Sequence, residues 1–186
     1  MKRIDENPPT RFPDRPPAEC AAPWWIAKIK PRQEKAMAWD LVKKNIEYYL
    51  PMYTKVTRRA DNNKPRKSIL PLFPGYISFC AAPGTQNAIY ATDRVVSVLE
   101  VRHQKRFIEE LSQIYLGLQY GANIVPLEAF EPGDYVCVQS GPLRGVHGTI
   151  VNVRDEHRLV LSVEGLGRAA MLVDAATVKA VSRSEK

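Results

Sequence analysis

The chain has 186 residues, of which 45% are hydrophobic and 25% charged, and its formal net charge is +7. This length suits one domain of ordinary size or two small ones, and the composition is that of a globular protein rather than a disordered one. No apolar run approaches the roughly 18 residues of a membrane span, and the first residues lack the apolar core of a signal peptide. Cys20, Cys80 and Cys137 are odd in number and far apart. The sequence therefore predicts neither a disulfide framework nor a CxxC metal pair, and it indicates a reducing, cytoplasmic location.

The positive charge is unevenly distributed along the chain. Residues 24–121 contain 16 Lys/Arg and 8 Asp/Glu, a net charge of +8, whereas residues 122–186 contain 7 and 8, a net charge of −1. Residues 1–23 contain four of each sign. This asymmetry predicts two units, the first of which acts beside a polyanion.

The N-terminal region is predicted to be a tail followed by a strand and a helix. Residues 1–23 contain six of the fifteen prolines and few apolar side chains, so they are predicted to form a disordered Pro-rich tail. Trp24–Lys30 alternates as a strand does, and Pro31 suits the first turn of a helix. From Arg32 to Ile46 the apolar residues fall in one broad arc, which predicts an amphipathic helix packed on a sheet.

A basic segment follows a short predicted strand at Tyr48–Tyr53. Asp61, Asn62 and Asn63 favour a turn, so Thr54–Ser68 is predicted to form a hairpin or long loop with cations near its tip. The cations are either a contact for DNA phosphates or a charged, solvated tip that binds nothing. They are Lys55, Arg58, Arg59, Lys64, Arg66 and Lys67.

The stretch Leu70–Phe79 is predicted to be a kinked entry into a strand. Pro71 and Pro74 cannot donate backbone hydrogen bonds, and Gly75 permits a bend that a residue with a Cβ resists. Tyr76–Phe79 then has the β-branched and aromatic residues of a strand. The aromatic residues at the kink belong either to the core or to an exposed protein-binding patch.

Two helices and a strand are predicted before the composition changes. Thr85–Ala91 is predicted to be a short helix, Val95–Val101 a strand, and Gln104–Gln119 a helix with a narrow apolar stripe. Residues 24–120 are therefore predicted to form an α+β domain, an antiparallel sheet with packed helices. Residues 121–129 have no periodicity and are predicted to be a linker.

Beyond the linker the sequence changes to short strands separated by turn signals. Five strands in about 50 residues predict a small five-stranded SH3-like β-barrel over residues 130–182, because closing the sheet removes its exposed edges. The strands are predicted at residues 134–139, 146–154, 158–163, 169–173 and 178–181. Val136 and Val138 are predicted to point inward, and Gly148 is predicted to let two backbones approach closely before Ile150 and Val153 pack.

Three motifs in series resemble a known family. Trp24-Trp25 stands before a helix, Leu72-Phe-Pro-Gly-Tyr76 leads into a strand, and the segments Gly133–Val138, Gly141–Gly145 and Gly148–Val151 resemble a KOW motif. In this order they resemble the NusG family of transcription elongation factors, over nearly all of residues 23–181. The form of the KOW segments resembles specialised, antiterminating paralogues more than housekeeping NusG.

The resemblance implies a bacterial, non-enzymatic elongation or antitermination factor that needs no cofactor and no metal. Its N-terminal domain would bind a coiled coil of the largest RNA polymerase subunit, and its KOW domain would recruit Rho or a small-subunit ribosomal protein. DNA of the transcription bubble is a further expected contact, and a monomer without membrane contacts is expected. The implied polymerase contacts are Trp25, Phe73, Pro74, Gly75 and Tyr76, and the implied contacts of the KOW loop are Leu166, Gly167 and Arg168.

No motif indicates an enzyme. The sequence contains no GxxxxGK[ST], HExxH or GxSxG. His103, His147 and His157 lie on different predicted elements without a convergent pattern of carboxylates. The alternative from another class is a KOW-containing RNA- or ribosome-binding assembly protein, which a pull-down with polymerase core or ribosomal particles would distinguish.

Overall fold

The structure is a computed structural model, and it describes residues 7–58, 63–126, 135–153, 156–173 and 178–180. The chain divides into two compact units. The first contains the chain up to Arg15 and Glu19–Arg102, and the second contains Pro16–Ala18 and the chain from His103 onward. No helix among the described residues is long and apolar enough to cross a membrane.

Among its described residues, the first unit contains a five-stranded sheet, a separate two-stranded ribbon and two α-helices; a short 3-10 helix, Pro17–Glu19, lies at the boundary of the two units. The sheet strands are β1 (Arg11–Phe12), β2 (Trp24–Ile29), β3 (Glu47–Tyr49), β6 (Tyr76–Cys80) and β7 (Val95–Glu100), the ribbon strands are β4 (Met52–Arg58) and β5 (Pro65–Pro71), and the helices are α1 (Glu34–Lys43) and α2 (Gln86–Tyr90). In the sheet the strands lie in the order β1-β3-β6-β2-β7, and all its pairs are antiparallel.

Both faces of strand β2 carry buried side chains. Ala27 belongs to a cluster with Met37 and Leu41 of α1, so the predicted amphipathic helix is confirmed over α1. Trp24 and Ile26 point to the opposite face because successive side chains alternate along a strand, and they too are buried. The first sheet therefore has a helix-covered face and a second apolar face.

The tail was predicted to be disordered, but the part of it that the structure describes, residues 7–23, contains a strand that pairs with the sheet, which corrects the prediction for that part. We call residues 7–15 the strap. Its strand β1 pairs with β3, the Tyr48 hydroxyl donates to the Pro9 carbonyl at 2.7 Å, and the Leu50 N–H donates to the Thr10 carbonyl at 2.7 Å. The prolines of this segment lack N–H donors but keep their carbonyls, so the segment can still accept hydrogen bonds along a sheet edge.

Cys20 and Cys80 form a disulfide, contrary to the expectation from cysteine spacing. They are 60 residues apart in sequence. Cys80 ends β6 directly opposite Trp24 of β2, and Cys20 precedes that strand by a few residues. The strand register therefore brings the two sulfurs together, and spacing along the sequence gives no sign of it. Cys137 is a free thiol.

In the part of it that the structure describes, the second unit contains an α-helix and a six-stranded antiparallel sheet in the order β13-β9-β10-β11-β12-β8. All five predicted strands form, with bounds within a few residues of those predicted. The elements are α3 (Gln104–Gln119), β8 (Ile124–Pro126), β9 (Tyr135–Val138), β10 (His147–Val153), β11 (Glu156–Val163), β12 (Gly167–Leu172) and β13 (Val178–Ala180). Together the two units confirm the predicted α+β class, an antiparallel sheet with helices followed by a small β domain.

The segment predicted to be a linker contains the additional strand. In β8, Ile124 lies opposite Met171 of β12. Helix α3 contacts β11, and a Cβ at its Gly117 would lie 2.6 Å from the Ile124 side chain. Helix α3 thus falls in the second compact unit, whereas the sequence assigns it to a domain of residues 24–120. The domain bounds remain a prediction.

The buried residues of the β domain match the expected KOW pattern in part. Val136 and Val138 are buried, as predicted. A Cβ at Gly148 would lie only 2.3 Å from the Val160 carbonyl oxygen, so the predicted close approach of two backbones is confirmed. In β10 Val151 is buried, whereas Ile150, a predicted packing residue, is half-buried. The side chain of Val153, the other predicted packing residue, lies outside the described ones.

Candidate functional site

The kink between β5 and β6, residues 72–75, is fixed by hydrogen bonds from two other elements. Gly75 has φ +84°, a left-handed conformation that favours glycine. Its carbonyl accepts the Ile29 N–H of β2 at 2.7 Å, and its own N–H donates to the Glu34 carboxylate of α1 at 2.8 Å. Both backbone groups of Gly75 are thus satisfied by neighbouring elements, which holds the turn in one position relative to the sheet.

The two apolar side chains that begin the kink are buried. Phe73 is only 4% exposed, and the adjacent Leu72 is buried as well. Pro74 is exposed, and Tyr76 is half-buried. Of the two interpretations left open for the aromatic residues, the core one therefore describes Phe73, while Pro74 and Tyr76 are the parts of the kink that reach the surface.

Trp25, the remaining predicted polymerase contact, is not grouped with Tyr76. In the β2–β6 register Trp25 lies opposite Phe79, whereas Tyr76 lies opposite Lys28. Trp25 and Tyr76 therefore point to opposite faces of the sheet, because the side-chain period of a strand is two. The Trp25 indole also donates to the Ala81 carbonyl at 3.0 Å and packs on the helix-side core. The five predicted residues do not form one continuous patch.

The predicted basic hairpin forms a two-stranded β-ribbon, and the outer part of this ribbon is exposed on both faces. Strands β4 and β5 pair from Met52–Pro71 out to Arg58–Pro65. The side chains of residues 54–58 and 63–67 are all exposed. Of the predicted cations, five are described, whereas Arg59 lies outside the described residues. The exposed cations are Lys55, Arg58, Lys64, Arg66 and Lys67.

The register distributes the cations over both faces of the ribbon. Lys55 and Arg66 belong to one face, and Arg58 and Lys67 belong to the other, because partners across the ribbon share a face. The major groove of B-DNA admits a two-stranded β-ribbon. With cations on both faces, such a ribbon can approach phosphates on two sides.

The root of the ribbon is held by Lys35 of α1. The Lys35 ammonium donates to the Ile69 carbonyl of β5 and to the Asn7 side chain of the strap, both at 2.6 Å. Burial lowers the pKa of Lys35 below its usual 10.5. One helix therefore contacts both predicted sites, because Glu34 holds the kink and the next residue holds the ribbon.

The predicted KOW contact residues lie where the turn between β11 and β12 ends: Leu166 is the last turn residue, and Gly167 and Arg168 begin β12. Leu166 is buried, whereas Gly167 and Arg168 are exposed. A shallow groove of about 510 Å³ lies beside the turn, lined by residues 162–168 together with Arg106 and Glu110 of α3. The Glu110 carboxylate accepts the Glu164 N–H at 2.7 Å and the Arg106 Nε–H at 2.8 Å. That hydrogen bond to Glu110 raises the pKa of Arg106.

Sequence reasoning missed the carboxylates that position these segments. Glu34 is buried and Glu110 is half-buried, and each accepts a backbone N–H from a segment at least 41 residues away. A glutamate in a helix is common on a solvated face, so the residue type alone gives no signal at either position. The one available hint was that Glu34 stands in the first helical turn, where a carboxylate is favourable next to free N–H groups.

Comparison with known proteins assigns the fold to a class of transcription factor. The family model described as "Transcription termination factor nusG" matches residues 22–114, which is half of the chain. One similar solved structure is titled "Crystal Structure of MjSpt4:Spt5 complex conformation B"; the match covers 88% of this chain and 99% of that chain, at 18% identity and a TM-score of 0.26. No curated protein matches.

The chain therefore belongs to the NusG family. Members of this family are non-enzymatic transcription factors that bind RNA polymerase, so the general function is that of a transcription elongation factor. The family match includes the kink, the ribbon and the first part of α3.

Proposed function

We propose that this chain is a bacterial, cytoplasmic elongation or antitermination factor, a specialised paralogue that docks on RNA polymerase as a monomer through its N-terminal unit. The observation that carries the proposal is the fixed kink, where Gly75 is bonded to both β2 and α1. A turn held in this way presents Pro74 and Tyr76 without a large entropy loss on binding, which favours tight association. The expected target is an apolar, helical surface, the coiled coil of the largest polymerase subunit.

The contributions of the five predicted contact residues differ in kind. Pro74 and Tyr76 are exposed or half-buried, so they are the residues that would touch the polymerase. Phe73 and Gly75 act as support, Phe73 by packing and Gly75 by its backbone bonds. Trp25 lies on the opposite face of the sheet from Tyr76, so it could contact polymerase only through that opposite face.

The experiment is a binding titration of the full chain against purified RNA polymerase core. Tyr76→Ala is expected to weaken binding about thirtyfold, which corresponds to the roughly 2 kcal/mol of a buried interface anchor. Pro74→Asp should weaken binding as well, because the introduced carboxylate would lose its water in the contact with polymerase. Val96→Ser removes an exposed apolar side chain from β7 and serves as the matched control, with unchanged affinity.

Two outcomes would contradict the proposal. One is a wild-type chain that does not bind polymerase core and does not alter pausing or termination in vitro. The other is capture of ribosomal particles in place of polymerase, which would favour the RNA- or ribosome-binding alternative.

A second part of the proposal assigns the ribbon to DNA. Its cations are exposed on both faces, and this arrangement suits phosphates of the transcription bubble rather than a protein surface. Phosphate contacts position a protein without reading sequence, so the ribbon would add salt-dependent affinity only on an assembled elongation complex.

A third part assigns the β11–β12 turn to partner recruitment, by Rho or by a small-subunit ribosomal protein. Gly167 and Arg168 are exposed at the edge of the groove, which supports a contact there. Arg168→Ala should weaken partner binding, whereas Leu172→Ser, an exposed residue of the same strand, should not. Equal binding by both variants would exclude this loop as the contact.

A further inference from the structure

The Cys20–Cys80 disulfide joins the chain just after the strap to the end of β6. Both sulfurs lie near one carbonyl, because the Ala22 oxygen is 3.0 Å from Cys80 Sγ and 3.6 Å from Cys20 Sγ. When the bond is open, the two thiols can each donate to that oxygen and stay close to each other. The site is therefore arranged for closing and reopening at the same place.

We propose that Cys20 and Cys80 are a reversible thiol–disulfide pair that fastens the strap to the edge of the first sheet. Among the described strands, β3 would be the edge of the sheet if β1 were absent. An uncovered edge presents unpaired N–H and C=O groups to other chains. In the disulfide form the strap is fastened over that edge, and reduction loosens the strap.

The exposure of the two cysteines decides the order of the chemical steps. Cys20 is half-buried, whereas Cys80 is only 5% exposed. In oxidation, the Cys20 thiolate attacks a low-molecular-weight disulfide such as oxidised glutathione, forming a mixed disulfide and releasing one glutathione thiolate. The Cys80 thiolate then attacks Cys20 Sγ and releases the second thiolate. The pair loses two electrons and two protons, which the two glutathione thiols carry away.

Noncovalent contacts hold the strap in both forms, so reduction loosens it without removing it from the sheet. Arg15 donates to the Glu47 carboxylate through Nε at 3.2 Å, and this hydrogen bond raises the pKa of Arg15. The Tyr48–Pro9 and Leu50–Thr10 hydrogen bonds also remain. The disulfide adds a covalent limit on how far these weaker contacts can separate.

A metal site is the competing use of the same side chains. Ligand atoms of Cys20, Glu47 and Cys80 lie within 4.8 Å of one another. Zinc sites of the structural kind use four ligands, and here Glu47 is already bonded to the Arg15 guanidinium, whose charge opposes a cation. These contacts favour the disulfide over a metal ion.

The test uses the full chain with Cys137→Ser, which leaves only the proposed pair of thiols. The chain is equilibrated in reduced and oxidised glutathione at several ratios and alkylated, and peptides are analysed without reduction. We expect one disulfide-linked species, Cys20–Cys80, whose fraction rises with the ratio of oxidised to reduced glutathione and falls when that ratio is lowered. In the Cys80→Ser variant we expect a mixed disulfide with glutathione at Cys20. A chain that never forms the linkage in oxidised glutathione would overturn the proposal, as would stoichiometric zinc in the reduced protein.

Amide hydrogen exchange tests the effect on the strap. Reduction, or Cys20→Ser, should speed exchange at Leu50, whose N–H is held by the Thr10 carbonyl, by about tenfold or more. The exchange rates of the β10 and β11 amides should be unchanged, and Cys137→Ser alone should leave the Leu50 rate as in the wild type.

Equal Leu50 exchange rates in the oxidised and reduced forms would show that the disulfide does not fasten the strap. Neither measurement involves polymerase, so the redox proposal stands or fails separately from the proposed function.

Discussion

The kink and the ribbon are neighbours in sequence, yet they present their residues in opposite ways. At the kink, Leu72 and Phe73 are buried and both backbone groups of Gly75 are bonded to other elements. In the ribbon, residues 54–58 and 63–67 are exposed on both faces, and among the described ribbon residues it is the root that is bonded to a helix, through Lys35. The kink depends on the fold for its shape, whereas the ribbon depends on the fold only at its base.

This difference has consequences for how each region can bind. A fixed apolar turn gives affinity that depends little on salt, and a change there alters folding as well as binding. An exposed ribbon of cations gives affinity through counterion release, and its residues can change without a loss of stability. The predictions below test this contrast, from the largest expected effect on stability to the smallest.

Phe73→Ala should lower the free energy of unfolding by about 3 kcal/mol or more, because a large buried side chain is lost and a cavity remains. Urea denaturation of the full chain measures this. Phe73→Leu, which keeps most of the volume, should cost clearly less. If Phe73→Ala is as stable as the wild type, Phe73 is not part of the core, and its direct contact with polymerase becomes the better interpretation.

Most of the fold could be predicted because local patterns and tertiary packing agree. The alternation at Trp24–Ile29, the apolar arc of α1 and the short strands of the β domain all form where the sequence indicates. Gly148 is the sharpest case, since the close backbone approach expected of a KOW motif is present. In each of these, the pattern of nearby residue types is enough to predict the local conformation or the close approach.

The failures share one cause, which is contact between distant segments. The strap is ordered because β3 offers it an edge, and the Cys20–Cys80 bond follows from the register of β2 and β6. The site was only partly predictable for the same reason. Sequence identified the kink, but it could not show that Phe73 points inward or that Trp25 and Tyr76 lie on opposite faces.

Glu34→Ala should destabilise the chain by about 2 kcal/mol, because the Gly75 N–H then loses its acceptor in a partly buried position. Glu34→Gln keeps a side-chain oxygen and should cost less. Chemical denaturation gives the stability, and exchange of the Gly75 amide reports on the bond itself. An unchanged Gly75 rate in Glu34→Ala would show that α1 does not fix the kink, and the contrast with the ribbon would weaken.

Tyr48→Phe should cost about 1 kcal/mol at neutral pH through loss of the hydrogen bond to Pro9. Tyr48 also makes the free energy of unfolding depend on pH. Burial raises the pKa of its phenol above the usual 10.0, so its contribution is complete below pH 10 and is lost as the pH rises through the folded-state value. Unfolding above pH 10 should therefore release one more proton in the wild type than in Tyr48→Phe, measurable as the pH slope of stability. Identical slopes would contradict the assignment.

Replacing four ribbon cations by glutamine should have the smallest effect on stability, within about 0.5 kcal/mol, because their side chains are exposed. The expected change is in binding to an assembled elongation complex, where the slope of log affinity against log salt should flatten by up to about 0.9 for each phosphate that the ribbon no longer neutralises. Binding to isolated polymerase core should stay near the wild type. The ribbon variant changes Lys55, Arg58, Arg66 and Lys67, and the matched control changes four exposed cations elsewhere, Lys43, Lys44, Arg102 and Lys105.

The matched control decides between a specific contact and general electrostatics, since both variants lose the same charge. If both flatten the salt dependence equally, net charge alone attracts the chain to nucleic acid, and the ribbon has no special position. If the ribbon variant matches the wild type at every salt concentration, the ribbon is a solvated tip and its DNA role is wrong. The contrast between kink and ribbon is supported by one result: the slope of log affinity against log salt flattens in the ribbon variant alone, and the free energy of unfolding is unchanged. That result would show that the ribbon contributes to binding independently of the fold on which the kink depends.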